Sequence, residues 1–267
     1  MSLKIPEFIL KTSLLHQLGR FLYGKVFFIG NRGRFYGFFH SYDEARKHIG
    51  LESPSSYEDT DLTEVNLHSF MQTHLFDYPV MLNLLKLGNQ IKSVIDFGGH
   101  IGVKYYAYES HVTDIHKLHW KVVDVPFCVN RGRKEAAQRG VTNLSFSSDI
   151  SEAGECDLLL ISGALQYVTL SIGELLDSMT RLPRFIIMNK LPVHFGPDCY
   201  TIENFGKTKI PYRLFNKNEF NSQLHLRGYI NEDAWTIPSR EISIPFHEKM
   251  LDQFTMEGHF WKMKENP

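Results

Sequence analysis

Short apolar runs alternate with helix-like segments from residue 92 onwards. Five runs have strand character, and they read KSVIDF, HWKVVDV, TNLSFSS, CDLLLIS and RFIIMN. Helical spacing is found over about 102–116, 127–139 and 171–181. Strands that alternate with helices in this way predict parallel βαβ units with right-handed crossovers. We therefore expect an α/β fold with a doubly wound, mostly parallel sheet.

The part of the chain before residue 90 has a helical pattern. In the stretch SYDEARKHIG, Ser41 suits an N-cap, Glu44 completes a capping box and Gly50 ends the helix. Residues 66–89 predict one or two further helices that lead into the first strand. We interpret residues 1–90 as an N-terminal helical extension that packs on the core, and residues 91–267 as the main domain.

Large apolar residues near the N-terminus recur at the spacing of an amphipathic helix: Ile9, Leu10, Leu14, Leu18, Phe21 and Leu22. Charged residues interrupt the segment every few positions, so no stretch reaches the ~18 apolar residues that a bilayer crossing needs. The apolar face can pack on the core, on another subunit or on a lipid surface, and we favour these in that order. A homodimer formed through the N-terminal helices is thus one expectation.

The chain after the fifth strand is predicted to contain an insertion and a terminal hairpin. Residues 190–215 are rich in Pro, Gly, aromatic and basic residues, which favours a loop over the site, although an inert surface excursion has the same pattern. A helix ended by Gly228 follows. The runs YINEDAWTI and FTMEGHFWKM then alternate like two antiparallel strands.

Charge and cysteine content exclude several classes of partner. Lys and Arg number 29 against 30 Asp and Glu, so no net field attracts nucleic acid or an anionic membrane. Three widely spaced cysteines give no disulfide framework, which predicts a reducing cytoplasm. No His, Cys and carboxylate grouping has metal-ligand spacing, so we expect no metal site.

The segment SVIDFGGHIG joins the first strand to the following helix through a glycine-rich turn. Asp96 ends the strand, and Gly98, Gly99 and Gly102 follow it. A dinucleotide-binding turn would have a glycine at Phe97, and a P-loop would end in Gly-Lys-Ser/Thr. A carboxylate beside the turn also disfavours a pyrophosphate and favours a ligand with hydroxyl, amino or cationic groups.

Further polar residues follow the other strands at their carboxyl ends. Asp124 follows the second strand, Asp149 the third, and Ser162 with Gly163 the fourth. Any one of them could simply cap a helix or a turn. Because ligands of doubly wound sheets bind beyond the carboxyl ends of the strands, we expect these residues to line one cleft.

In the order and spacing of four motifs, the sequence resembles the class I S-adenosylmethionine-dependent methyltransferases. The four are VIDFGGHIG, WKVVDVP, FSSDI and CDLLLISGALQYV. The resemblance implies a Rossmann-like methyltransferase sheet with S-adenosylmethionine as cofactor. It implies that Asp124, beside Val125, holds the ribose hydroxyls, and that Asp149 and Ile150 flank the adenine. It implies that Asp96, the three glycines, Ser162 and Gly163 surround the methionyl part.

Over roughly residues 35–262 the sequence also resembles a narrower group of bacterial methyltransferases encoded beside polysaccharide genes. The shared features are Tyr36-Gly37-Phe38, HSYDEARKH, the DFGG turn, ALQYV and the proline-rich segment after the fifth strand. Two positions depart from the class I pattern. His100 stands where that pattern has glycine, and Asn189-Lys190 stands where an acid and basic pair is expected.

We therefore expect a methyltransferase of the EC 2.1.1 type that acts on a small hydroxylated acceptor such as a sugar or polysaccharide precursor. A sulfonium is already an activated donor, so catalysis needs alignment and, for a hydroxyl, a general base. The candidate catalytic residues are His194, Tyr212 and Tyr167. An NAD-dependent sugar-modifying enzyme and a noncatalytic protein of methyltransferase fold remain the alternatives.

Overall fold

The computed structural model describes residues 13–50, 67–206, 208–238, 242–246 and 254–264. The helices are α1 (Ser13–Phe28), α2 (Tyr42–Ile49), α3 (Leu67–Phe70), α4 (Tyr78–Leu87), α5 (Val103–Tyr108), α6 (Pro126–Gln138), α7 (Ile172–Asp177) and α8 (Lys217–Leu226). The strands are β1 (Phe35–Phe39), β2 (Ser93–Phe97), β3 (His119–Val123), β4 (Leu144–Ser147), β5 (Leu158–Ser162), β6 (Phe185–His194), β7 (Cys199–Asn204), β8 (Lys209–Asn216), β9 (Tyr229–Thr236) and β10 (Thr255–Met263).

The main sheet has the strand order β4-β3-β2-β5-β6-β10-β9. The five strands β2 to β6 run parallel to their neighbours in this order, whereas β10 is antiparallel to both β6 and β9. The chain reverses direction across the sheet between β2 and β5, which creates a topological switch point. The predicted fold class, a doubly wound Rossmann-like sheet with a C-terminal antiparallel hairpin, is confirmed.

Side chains of the parallel strands alternate between two buried layers. Val94 and Leu158 face the layer built with α4, α5 and α6, whereas Ile95 and Leu159 face the layer built with α7 and α8. Because both faces of the sheet are covered, the central strand β5 is buried and apolar from Leu158 to Ile161. This packing holds the loops at the carboxyl edge in place.

The segment predicted as a loop over 190–215 is instead mainly β-structure. The strand β6 continues to His194, and β7 and β8 form a hairpin that pairs with β1 in the order β1-β7-β8. The end of β6 also pairs with the end of β8, at Val193 and His194. Gly196 and Pro197 lie in the turn between β6 and β7, and Gly206 lies in the turn between β7 and β8.

The N-terminal extension contains β1 in addition to helices. As predicted, Ser41 caps α2 by accepting a hydrogen bond from the Glu44 backbone N–H, and Gly50 ends the helix. The strands β1, β7 and β8 are called the small sheet below. One face of α1 packs through Phe27 against Tyr36 and Ile202 of this sheet. Ile9 and Leu10 lie outside the described residues, as do 51–66. Within the part that is described, no helix is both long and apolar enough to cross a bilayer.

Candidate cofactor site

Asp96 is the second-last residue of β2, at the centre of the carboxyl edge of the sheet. Its side chain is buried, and Oδ2 accepts a hydrogen bond from Trp120 Nε1 at 3.3 Å. The other oxygen, Oδ1, is buried and has no hydrogen-bond partner within the described residues. Burial raises the pKa of Asp96 to about 7, although Trp120 and the ammonium groups of Lys104 and Lys190 oppose this. The site therefore offers a buried acceptor atom beside the glycine turn.

The glycine turn wraps around this carboxylate. A Cβ on Gly99 would overlap the Asp96 carboxylate, and a Cβ on Gly98 would overlap the side chain of Ala164. Gly98 has a φ of 68°, and Gly102 begins α5. His100 has a φ of 57°, the left-handed conformation that glycine adopts most easily. The histidine thus retains the backbone shape of the glycine it replaces in the class I pattern.

Asp124 follows β3 and binds the glycine turn directly. Its Oδ2 accepts from the His100 backbone N–H and its Oδ1 from the Val125 backbone N–H, both at 2.7 Å. Burial raises the pKa of Asp124, and these two backbone N–H groups partly lower it. The Cys128 thiol also donates to this carboxylate, so of its about four acceptor positions one remains for a ligand hydroxyl. The half-buried side chain thus fits the role that the resemblance implies.

Asp149 and Ile150 follow β4 in the next loop. Asp149 is exposed, and its Oδ1 accepts from both the backbone N–H and the hydroxyl of Ser151. Those hydrogen bonds lower the pKa of Asp149. Ile150 is buried beside Val123 and Ala153. The structure therefore shows Asp149 as a turn cap, and it places Ile150 in the core below the same edge.

Ser162 and Gly163 end β5 opposite the glycine turn. Ser162 Oγ is buried and has no hydrogen-bond partner within the described residues. Lys190 has a φ of 60°, and its aliphatic chain packs on Gly163. A Cβ on Gly163 would lie 2.8 Å from Lys190 Cε. A non-glycine residue in this conformation stores strain of the kind found at functional sites. A ligand that contacts Gly163 must share this space with Lys190.

A short turn before α4 covers the same edge. The buried carboxylate of Asp77 accepts from Lys104 Nζ at 2.8 Å and from Tyr108 Oη at 2.9 Å. The Phe76 carbonyl accepts from Asn189 Nδ2 at 3.0 Å. Asn189, in the middle of β6, therefore anchors the covering turn.

Two of the candidate catalytic residues are buried between the small sheet and the chain that returns to β10. His194 and Tyr212 are each 3% exposed. His194 Nε2 lies 3.5 Å from Cys199 Sγ, and burial lowers the pKa of its imidazole. Tyr212 packs edge-on against Phe35, with ring centroids 5.3 Å apart. Contact between either side chain and an acceptor would require the surrounding packing to open.

Tyr167, the third candidate, is only partly buried and lies in the loop after β5. Its hydroxyl donates to Glu203 Oε2 of β7 at 2.7 Å. The ring stands edge-on to Tyr212, with centroids 5.3 Å apart, and close to Phe205. Three residues earlier, Ala164 touches the glycine turn. Tyr167 thus lies in the same short loop as a residue that contacts the glycine turn.

The residues at this edge fit S-adenosylmethionine in their chemistry. The buried acceptors Asp96 Oδ1 and Ser162 Oγ and the carboxylate of Asp124 suit a ligand with ammonium and hydroxyl donors. No group of three or more His, Cys, Asp or Glu among the described residues could hold a metal ion.

Comparison with known proteins finds similarity at the level of fold. No family model and no curated protein match the chain. The solved N-terminal domain of EvdMO1 with S-adenosylhomocysteine (SAH) bound is 12% identical, with 74% of this chain and 84% of that one covered, at a TM-score of 0.50. OxaC in complex with SAH and oxaline is also 12% identical, with 78% and 52% covered, at a TM-score of 0.51. This chain thus spans about half of OxaC, and the likeness establishes a shared fold.

Proposed function

We propose that the protein is an S-adenosylmethionine-dependent methyltransferase that acts on a small hydroxylated acceptor. The observation that carries the proposal is the pair of carboxylates, Asp96 and Asp124, on either side of the glycine turn. Hydroxyl and ammonium donors suit these groups, whereas a pyrophosphate would be repelled by them. The SAH bound in both structural neighbours supports the same ligand.

Each residue of the edge has a proposed role toward the cofactor. Asp124 with Val125 would hold the ribose hydroxyls, and Asp149 with Ile150 would flank the adenine. The methionyl part would lie against Asp96, Ser162, Gly163 and the glycines Gly98, Gly99 and Gly102. Of these assignments, Asp149 has the weakest support because its carboxylate already caps a turn.

The cofactor supplies a methyl group that its sulfonium has already activated, so the chain must orient an acceptor and accept a proton. We propose Tyr167 as the residue that contacts the acceptor hydroxyl. It is partly exposed, follows β5 and has its own hydroxyl held in place by Glu203. His194 and Tyr212 would act only if their packing opened. A sugar acceptor and a cytoplasmic location remain proposals from the sequence.

One observation favours the noncatalytic alternative. The stem of Lys190 lies on Gly163, so the space for a ligand between β5 and β6 is narrow. A noncatalytic protein that keeps the fold as a scaffold would have no need to admit a ligand there. Measured transfer decides between the two functions.

The first test is a thermal-shift titration with SAH and, separately, with NADH. A ligand at 100 times its dissociation constant should stabilise the fold by ~2.7 kcal/mol. We expect SAH to raise the melting temperature and NADH to leave it unchanged. A shift with NADH alone would identify the dinucleotide-dependent alternative. The second test is transfer of tritiated methyl from S-adenosylmethionine into small molecules, which the noncatalytic alternative forbids.

A further inference from the structure

Glu203 is a buried carboxylate in β7 to which the proposed cofactor site assigns no role. It is 3% exposed, and its two oxygens contact different partners. Oε1 accepts from Arg34 Nε and Nη2, both at 3.2 Å, and Oε2 accepts from the Tyr167 hydroxyl at 2.7 Å. Arg34 precedes β1, while Tyr167 follows β5. The carboxylate therefore links the small sheet to the loop beside the glycine turn.

Burial of a carboxylate is costly unless charged and hydrogen-bonded partners compensate for it. The forked contact with Arg34 provides this compensation and leaves Oε2 directed at Tyr167. A phenolic hydroxyl is both a donor and an acceptor, so a tyrosine that donates to a carboxylate can also accept. Tyr167 can thus accept a proton on one side as it gives up its own on the other.

We propose that Glu203 is the proton acceptor behind Tyr167 in methyl transfer, an inference that rests on the proposed function. The acceptor oxygen forms a bond to the methyl carbon as the carbon–sulfur bond breaks and its electron pair stays on sulfur. The acceptor proton moves to Tyr167 Oη, and the Tyr167 proton moves to Glu203 Oε2. Because an alkylated hydroxyl is strongly acidic, the relay needs good placement more than a strong base. Glu203 acts through Tyr167 and is a positioning residue.

The test uses the full-length protein, tritiated S-adenosylmethionine and the small-molecule fraction of an extract of the cells that it comes from. We expect Glu203→Gln and Tyr167→Phe each to lower methyl transfer tenfold or more, with SAH affinity unchanged. The double variant should be no slower than the slower single variant, since both residues serve one proton path. Glu203→Asp should recover part of the rate.

The pH profile separates a proton relay from a structural link. The wild-type rate should fall at acidic pH as Glu203 becomes protonated, and Glu203→Gln should remove this dependence. Arg34→Gln should shift the acid limb to higher pH because a carboxylate without its arginine is protonated more easily. As a control, Asp177→Asn breaks the ion pair between Asp177 and Arg227, which joins the C-terminal ends of α7 and α8. This variant should leave the pH profile unchanged.

The outcomes distinguish the two levels of proposal. Wild-type protein that binds no SAH, or transfers no methyl, overturns the proposed function and this inference with it. Wild-type transfer together with a folded Glu203→Gln protein of normal rate and unchanged acid limb overturns the relay alone. Loss of SAH binding in Glu203→Gln assigns Glu203 a structural role and also overturns the relay.

Discussion

Asp124 is the residue on which the proposed cofactor orientation depends most. Its carboxylate accepts from two backbone N–H groups and from the Cys128 thiol, and it has an acceptor position left for a ribose hydroxyl. We expect Asp124→Ala to weaken SAH binding by about 2 kcal/mol, the usual size of a lost charged hydrogen bond. Isothermal titration calorimetry measures this loss. Asp114→Ala removes an exposed aspartate before β3 and should not change the affinity; equal affinities for both variants would move the ribose elsewhere.

Asp96 gives a prediction about pH. Burial raises the pKa of Asp96 from 3.8 to about 7, so the folded protein holds a proton that the unfolded chain releases between these pH values. Stability therefore falls as pH rises from about 4 to 7, and the cost reaches at most about 4 kcal/mol above pH 7. Asp96→Asn should remove this cost, and it should weaken the binding of the cationic cofactor.

Melting temperatures of Asp96→Asn and of the wild type, recorded from pH 4 to 8, test this prediction. The melting temperature of the variant should increase relative to that of the wild type as pH rises through this window. Above the window the difference should stay constant. A difference that does not vary with pH would show that Asp96 is ionised throughout the range. SAH titration at pH 8 reports the accompanying loss of affinity.

His194 was a sequence-based candidate base, but its burial favours a packing role. The imidazole lies beside Cys199 and against Phe254, and burial lowers its pKa, so it is neutral near pH 7. We expect His194→Ala to lower the melting temperature and to spare the specific activity of the folded protein. A drop of ~100-fold in turnover at unchanged SAH affinity would instead support the catalytic assignment.

At the scale of elements, the turn between β2 and α5 is fixed by its contact with the loop after β5. Gly98 and Gly140 have similar φ values of 68° and 66°, but nothing lies within 4 Å of a Cβ on Gly140. Alanine at either position should lower the free energy of unfolding by ~1–2 kcal/mol, because the residue must adopt a left-handed backbone conformation. Only Gly98→Ala meets the Ala164 side chain, so only this variant should also weaken SAH binding.

The double variant Gly98→Ala/Ala164→Gly tests whether the overlap with the Ala164 side chain causes the loss of SAH affinity. Without the Ala164 side chain, the nearest atom to the new Cβ is Ala164 Cα at 3.5 Å. We expect calorimetry to show that this variant recovers most of the SAH affinity. Thermal melts should show that it does not recover the stability lost to the left-handed backbone conformation. Failure to recover would show that the glycine is needed for direct contact with the ligand.

The strands that could be predicted from sequence are those with a local signal. The runs that became β2 to β6 are apolar and bounded by turn residues, so their type and order followed from the pattern. The hairpin β7–β8 was hidden by its Pro and Gly content. Its partner β1 lies more than 160 residues earlier, as the pairing of Phe35 with Glu203 shows. The burial of His194 and Tyr212, and the Tyr167–Glu203 contact, depend on that distant pairing.

The same reasoning separates the two halves of the candidate site. The acidic and glycine residues at the carboxyl edge could be named from sequence because each follows a predicted strand. The ion pair of Asp77 with Lys104 in the covering turn could not be predicted, since it joins positions that share no local pattern. A buried acid directly before a proline-started helix, and a lysine amid apolar residues of the next helix, were the available signals.

For the whole molecule, the surface of α1 predicts self-association. One face of the helix packs on the small sheet, which agrees with the first of the three expected roles. The other face exposes five large apolar residues, Leu15, Leu18, Phe21, Leu22 and Val26, and the exposed Ile29 follows directly after the helix. An apolar face of this length commonly marks an interface. We expect a homodimer in which two copies of α1 bury this face together.

Light scattering coupled to size-exclusion chromatography tests this, with Leu18→Glu/Leu22→Glu as the disrupting variant. Charges on both sides of a symmetric interface meet their own copies, so two substitutions place four carboxylates together and should give a monomer. Leu226→Glu, which charges an isolated exposed leucine at the end of α8, should remain dimeric. A wild-type monomer that binds vesicles, with binding abolished by the α1 variant, would assign this face to lipid instead.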